Sequence, residues 1–252
     1  MKYFLLMLFM SMGSSMATAT VKEIETRDGD TILKGKLVYQ NKFNEKLPAI
    51  VVIHNWMGIS DETMQKAEEM SKAGMNAFVA DIYGVGHTPK NAEEAKTIST
   101  RFKGDLPLLR KRVDLAVNEL KKLNVKNIFV AGYCFGGTAA IEYARTGKSF
   151  NGAITFHGGL SASFDDSKIK APLLILHGAI DPTMSKADVD NFLMSLNKNN
   201  VDYNFVSYSG AVHSFTDTTK KGSNANQQSA YNDTAAKRSW QSFKLFVEEL
   251  SK

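Results

Sequence analysis

Apolar positions divide the chain into two kinds of extended segment separated by amphipathic helices. Residues 21–26 and 31–39 flank Arg27-Asp28-Gly29-Asp30, whose Asp28-Gly29 pair supplies a tight turn, so an antiparallel hairpin is predicted. A different pattern starts at Ala49-Ile50-Val51-Val52-Ile53, a continuous apolar run of the sort buried on both faces of a parallel sheet. Runs of the same kind recur at 77–80, 128–131, 153–156, 173–176 and 203–208. Between them lie helical patterns at 61–73, 91–102, 106–123, 137–145, 186–196 and 234–250. In the third of these, positions 109, 113, 116, 117 and 120 form one apolar stripe. This alternation predicts one α/β domain over residues 20–252, with a mostly parallel sheet of about eight strands, an N-terminal hairpin and helices on both faces. The polar stretch 217–232 reads as a surface loop.

In open α/β sheets the functional groups gather where strands end at their carboxyl edge. That rule selects His54, Asn55, Asp81, Cys134, His157, His177, Asp181 and His213, each just after a predicted strand. The sharpest signal is Val130-Ala131-Gly132-Tyr133-Cys134-Phe135-Gly136-Gly137, an apolar strand entering a G-x-C-x-G turn that opens a helix. Small residues two positions either side let the backbone turn hard enough to present the central side chain above the sheet. Cys134 is the only cysteine in the chain. With Asp181 and His213 it gives the order nucleophile, acid, histidine, which is the order of the α/β-hydrolases. His213 would take the thiol proton, while Asp181 would fix the imidazole tautomer and stabilise the imidazolium. A histidine neighbour and a helix N-terminus both favour a thiolate. The oxyanion donors expected for such an elbow are the backbone N–H groups of Phe135 and, from the loop after the 50–53 strand, Trp56.

Three segments, Gly132-Tyr133-Cys134-Phe135-Gly136-Gly137, His177-Gly178-Ala179-Ile180-Asp181-Pro182 and Gly210-Ala211-Val212-His213-Ser214-Phe215, resemble the catalytic segments of the dienelactone hydrolase (carboxymethylenebutenolidase-like) family. The resemblance continues through His54-Asn55-Trp56-Met57-Gly58, Asp81-Ile82-Tyr83-Gly84, Phe156-His157-Gly158-Gly159, Ala230-Tyr231-Asn232 and Arg238-Ser239-Trp240. It implies a hydrolase that cleaves a small ester, lactone or thioester through an acyl-cysteine, with no cofactor and no metal. Residues expected around the substrate are Asn55, Tyr83, His87, His157, Ser214, Phe215 and Tyr231; for His87 plain solvent exposure is the alternative. Two departures matter. Asn55 stands where the family commonly has a Glu that helps deprotonate the cysteine, and Val85 and Asp217 stand where dienelactone-cleaving enzymes place substrate-clamping arginines. Dienelactone itself is therefore not the expected substrate.

The first residues have the three-part form of a secretory signal peptide: Lys2, an apolar run over 3–10, and small residues ending Ala17-Thr18-Ala19. Cleavage after Ala19 would deliver the protein to the periplasm or the exterior; a buried helix or retained anchor is the alternative. No later stretch approaches the length of a membrane span. The net charge of +5 is scattered over helix faces rather than clustered among aromatics, which argues against nucleic acid. Wide separation of His54, His157 and His177, and dispersed methionines, offer no metal spacing. A small molecule is the expected partner, with a monomer or alternatively a homodimer as the assembly. Two rivals to hydrolysis remain at this stage: a hydrolase fold reduced to a binding protein, motivated by Asn55, and a redox sensor built on a lone thiol.

Overall fold

The computed structural model describes residues 18–160 and 165–252. The predicted signal segment up to residue 17 lies outside the described residues. Within them the chain forms eight strands, β1 Ala19–Asp28, β2 Thr31–Gln40, β3 Ala49–Ile53, β4 Asn76–Ala80, β5 Ile128–Tyr133, β6 Gly152–Phe156, β7 Leu173–Gly178 and β8 Tyr203–Tyr208. The α-helices are α1 Asp61–Lys72, α2 Ala92–Gly104, α3 Leu106–Lys122, α4 Phe135–Ala144, α5 Lys186–Lys198 and α6 Asp233–Glu249. All eight strands join one sheet in the order β1-β2-β4-β3-β5-β6-β7-β8. The β1–β2 and β2–β4 pairs are antiparallel and every other pair is parallel.

Continuous apolar runs become central strands because both faces are covered. Every residue of β3 is buried. Its Ile50 and Val52 pack with Phe129 of β5 and with Met70, Phe243 and Phe246 of α1 and α6. On the other face Val51 and Ile53 meet Leu109, Val113, Val117 and Tyr143 of α3 and α4. A third cluster, including Ile141, Phe192 and Leu196, seats α4 and α5 beside β6 and β7. Burying side chains of this size contributes roughly 1.5–3 kcal/mol each, which fixes the strands and so the positions of the residues at their ends.

β5 and β7 each run two residues further than expected, which places His177 inside β7, and two turns differ from the sequence-based expectation. The hairpin turns on Gly29-Asp30 rather than Asp28-Gly29, since Asp28 is paired with Thr31 and Gly29 takes φ +58°. Asp28 is drawn out of the turn by α3: its carboxylate accepts from Arg112 Nε at 2.7 Å and also pairs with Lys111, which ties the hairpin to the domain. In addition, α4 begins at Phe135, not Gly137, because the turn at Cys134 feeds straight into it.

Candidate active site

Strand β5 ends at Tyr133, and the next residue, Cys134, adopts φ 56° and ψ −114° before α4 begins. A left-handed φ is unfavourable for any residue with a Cβ, so neighbouring structure must hold it. It does so through close backbone approaches: a Cβ on Gly132 would overlap the carbonyl of Gly136, and one on Gly136 would overlap the carbonyls of Ile53 and His54. The Cys134 N–H donates to Phe156 O at 3.0 Å. Two other non-glycine residues near the thiol also have positive φ, His157 after β6 at 42° and Ser214 at 57°.

The ends of three strands bring the predicted residues together. His213 Nε2 lies 3.0 Å from Cys134 Sγ, and His213 Nδ1–H donates to Asp181 Oδ2 at 2.8 Å. Asp181 Oδ1 accepts from the Thr183 N–H at 2.9 Å and its hydroxyl at 2.7 Å, which stops the carboxylate from rotating. Burial opposes charge on His213, but the bond to Asp181 and the adjacent Cys134 sulfur outweigh it and push the imidazole up to about 10. For Asp181, burial acts to raise the carboxyl, yet its bonds to His213 and Thr183 win and hold it below the usual range. His157, whose ring centroid is 5.2 Å from that of His213, is pushed well below the usual imidazole range by burial and by the neighbouring His213. Its Nε2 shares a hydrogen bond of 2.8 Å with Thr216 Oγ1.

These groups open onto a cavity of about 360 Å³. Of the residues expected there, Asn55, Trp56, Cys134, His157, His213 and Ser214 line it. The structure places four others elsewhere. Tyr83 is buried behind the β3 loop, its hydroxyl donating to Trp56 O at 3.0 Å. Phe215 turns into the core against His157 and Tyr208, because the chain reverses at Ser214. His87 is exposed on the 84–88 loop, and Tyr231 lines a neighbouring cleft with its hydroxyl donating to Asp233. Phe135 is buried as a side chain, but its N–H belongs to the first turn of α4, where no intrahelical acceptor exists.

Sequence reading missed Glu62, Thr183, Lys220, Asn226, Gln228 and Ser229, all of which line the cavity. The last four belong to the stretch 217–232, which folds back over the site and forms a parallel bridge between Ser229 and His213. Asn55 has two roles: its Oδ1 accepts from the Met57 N–H at 2.8 Å, and its Nδ2 donates to Glu62 Oε2 at 3.2 Å. His54, His177 and Asp81 are structural. His54 Nδ1–H donates to Asn55 O, His177 is buried against Phe205, and Asp81 accepts from the Lys34 and Gly84 N–H groups.

The sequence pattern of the dienelactone hydrolase family matches residues 34–251. The chain belongs to that family. Among family relatives, the "Putative carboxymethylenebutenolidase" of Saccharolobus solfataricus is 30% identical over 246 residues, covering 83% of this chain and 91% of that protein. A Bradyrhizobium protein named "Probable 2-oxo-3-(5-oxofuran-2-ylidene)propanoate lactonase" is 27% identical, over 80% of this chain and 84% of its own length. The crystal structure of P91, described as a dienelactone hydrolase-like promiscuous phosphotriesterase from metagenomic libraries, superposes with a TM-score of 0.85 at 28% identity, covering 92% of this chain and 98% of that one. The protein is thus a dienelactone-hydrolase-like hydrolase on a single-domain α/β-hydrolase fold.

Proposed function

We propose that this hydrolase cleaves a small ester, lactone or thioester by passing the acyl group first to Cys134 and then to water. The observation that carries the reading is the unbroken line from Asp181 through His213 to Cys134, at 2.8 and 3.0 Å. His213 takes the thiol proton and the sulfur attacks the carbonyl carbon, moving the C=O electron pair onto oxygen. Collapse of that intermediate expels the alcohol or thiol, which leaves with the proton held on His213, and a thioester on Cys134 remains. Water then attacks the thioester while His213 accepts its proton; Cys134 departs and a carboxylic acid is released. Asp181 keeps Nδ1 as the donor throughout, so Nε2 faces the sulfur.

The N–H groups of Phe135 and Trp56 are suited to hold the oxyanion, one such donor contributing about 3–4 kcal/mol. Support for Trp56 comes from the anchoring of its loop, gripped at Trp56 O by Tyr83 and at the Met57 N–H by Asn55. The cavity suits a small acyl compound. Asp217 on its wall, and Val85 standing 49% exposed outside it, offer no clamp for the carboxylate of a dienelactone. Export after cleavage at Ala19, and action as a monomer, complete the reading.

Intact mass spectrometry after incubation with a panel of activated acyl esters tests it. An acyl adduct mapped to Cys134, and loss of turnover in Cys134→Ala, are expected. Undiminished hydrolysis by Cys134→Ala would sink the proposal.

A further inference from the structure

Glu62, in the first turn of α1, places a carboxyl group on the wall of the Cys134 cavity. It is tied to the loop beside the thiol, since Asn55 links Glu62 Oε2 to the Met57 N–H. A second carboxylate, Asp217, shares that wall and is nearly fully buried; Thr219 fixes its Oδ1 through N–H and hydroxyl bonds of 2.9 and 2.6 Å. Charges reach Glu62 from each side. On α1, Lys66 attracts and Glu69 repels, the two being paired with each other at 3.7 Å. From the loop after β8, Asp217 repels, and Lys220 is the one lysine that lines the cavity among the described residues. Tyr133 and His157 are kept from ionising by burial, and Cys134 and His213 line the same cavity. Burial, then Asp217, push the Glu62 carboxyl up to about 7. While Glu62 is protonated, the charges of Asp217 and Lys220 on the wall sum to zero; once it ionises, these three groups together carry one net negative charge.

We propose that Glu62, backed by Asp217, is the specificity-determining group of this cavity, admitting uncharged and cationic acyl compounds and turning away substrates that carry a carboxylate. The inference rests on the hydrolase reading above and names its substrate class. A protonated Glu62 donates a hydrogen bond to a neutral oxygen, whereas the ionised form offers only acceptors and repels a second anion. At separations set by a cavity of this size, one unit charge changes relative specificity by about tenfold.

The test compares kcat/KM for three p-nitrophenyl esters of matched chain length from pH 6 to 8.5: neutral butyrate, anionic hemisuccinate and cationic 4-trimethylammoniobutyrate. Ratios taken within one enzyme cancel the ionisation of the reacting pair common to all three. In the wild type the anionic-to-neutral ratio is expected to fall about tenfold as pH rises through neutrality, and the cationic-to-neutral ratio to rise. Glu62→Gln should flatten both profiles. Asp217→Asn, which removes the repulsion on Glu62, should move the wild-type midpoint to lower pH. Turnover whose ratios are indifferent to pH and to Glu62→Gln, or a preference for hemisuccinate above pH 7, overturns the proposal alone. Failure to hydrolyse any of the three overturns the hydrolase reading and this proposal with it.

Discussion

The two walls of the Cys134 cavity are built in opposite ways. On the β5–α4 side, backbone packs on backbone: Gly132 against Gly136, Gly136 against the β3 carbonyls, and the Cys134 N–H on Phe156 O. The facing wall is made of polar side chains from the 217–229 stretch, held mostly by short-range bonds such as Asn226 Oδ1 accepting from the Gln228 and Ser229 N–H groups at 2.8 Å. The stretch is joined to the reacting histidine by the His213–Ser229 bridge and, just beyond it, by the bond from the Ala230 N–H to His213 O. Backbone packing leaves almost no substitution tolerated, while side-chain lining can change without moving the thiol. Reaction geometry and substrate choice are thus carried by separate parts of the chain.

The largest effect is expected from breaking the rigid wall. Gly136→Ala has no room beside Ile53 O and His54 O, so a loss of more than about 5 kcal/mol is expected, read as failure to recover folded protein. Next, Asp181→Asn should leave the fold intact by circular dichroism but lower kcat for an activated ester by about 10³–10⁴-fold, because the imidazole loses the acceptor that fixes its tautomer.

A smaller effect separates the walls by pH. Glu62 has a usual carboxyl value of 4.5 and is raised to about 7 in the folded protein. Below the unfolded value both states hold the proton and it contributes nothing. Between the two values the folded protein keeps a proton that the unfolded chain releases, so stability falls as pH rises, and above about 7 the loss is complete. Glu62→Gln is therefore expected to be more stable than wild type by about 2–3 kcal/mol at pH 8, the difference vanishing near pH 4.5, as measured by urea melts. Asn55→Glu sharpens the same point: it would set a second carboxylate against Glu62 Oε2, so activity at pH 8 should drop rather than gain. The smallest change is expected for Gln228→Ala, within about 0.5 kcal/mol of wild type in stability and shifting KM rather than kcat.

What the sequence made legible follows the same division. Buried parallel strands need unbroken apolar runs, so the runs ending at Ile53, Ala80, Phe156 and Tyr208 end where β3, β4, β6 and β8 do. Cys134, Asp181 and His213 each follow a strand within a recognisable segment, and the sheet brings them together. Glu62 was hidden because an acid after the Ser60 N-cap reads as an ordinary helix-start residue, complementing the α1 dipole. Nothing in its spacing from Asn55 shows that α1 folds back over the loop. The 217–232 stretch was hidden for a related reason, since polar composition is the same whether a loop covers a cavity or faces water. Tyr83, Phe215 and Tyr231 show the converse: adjacency to a motif does not decide which way a side chain turns.

Cys134, His157 and Ser214 all carry left-handed backbone around one thiol. Each sits about 1–3 kcal/mol above a relaxed conformation. Glycine would relieve that penalty at all three, yet only at Ser214 could the side chain be removed without taking away the thiol or the ring that packs on His213. Directed evolution for heat resistance alone would thus favour replacements at the very positions the chemistry needs. A thermostability screen on this protein has to be run with an activity selection alongside it.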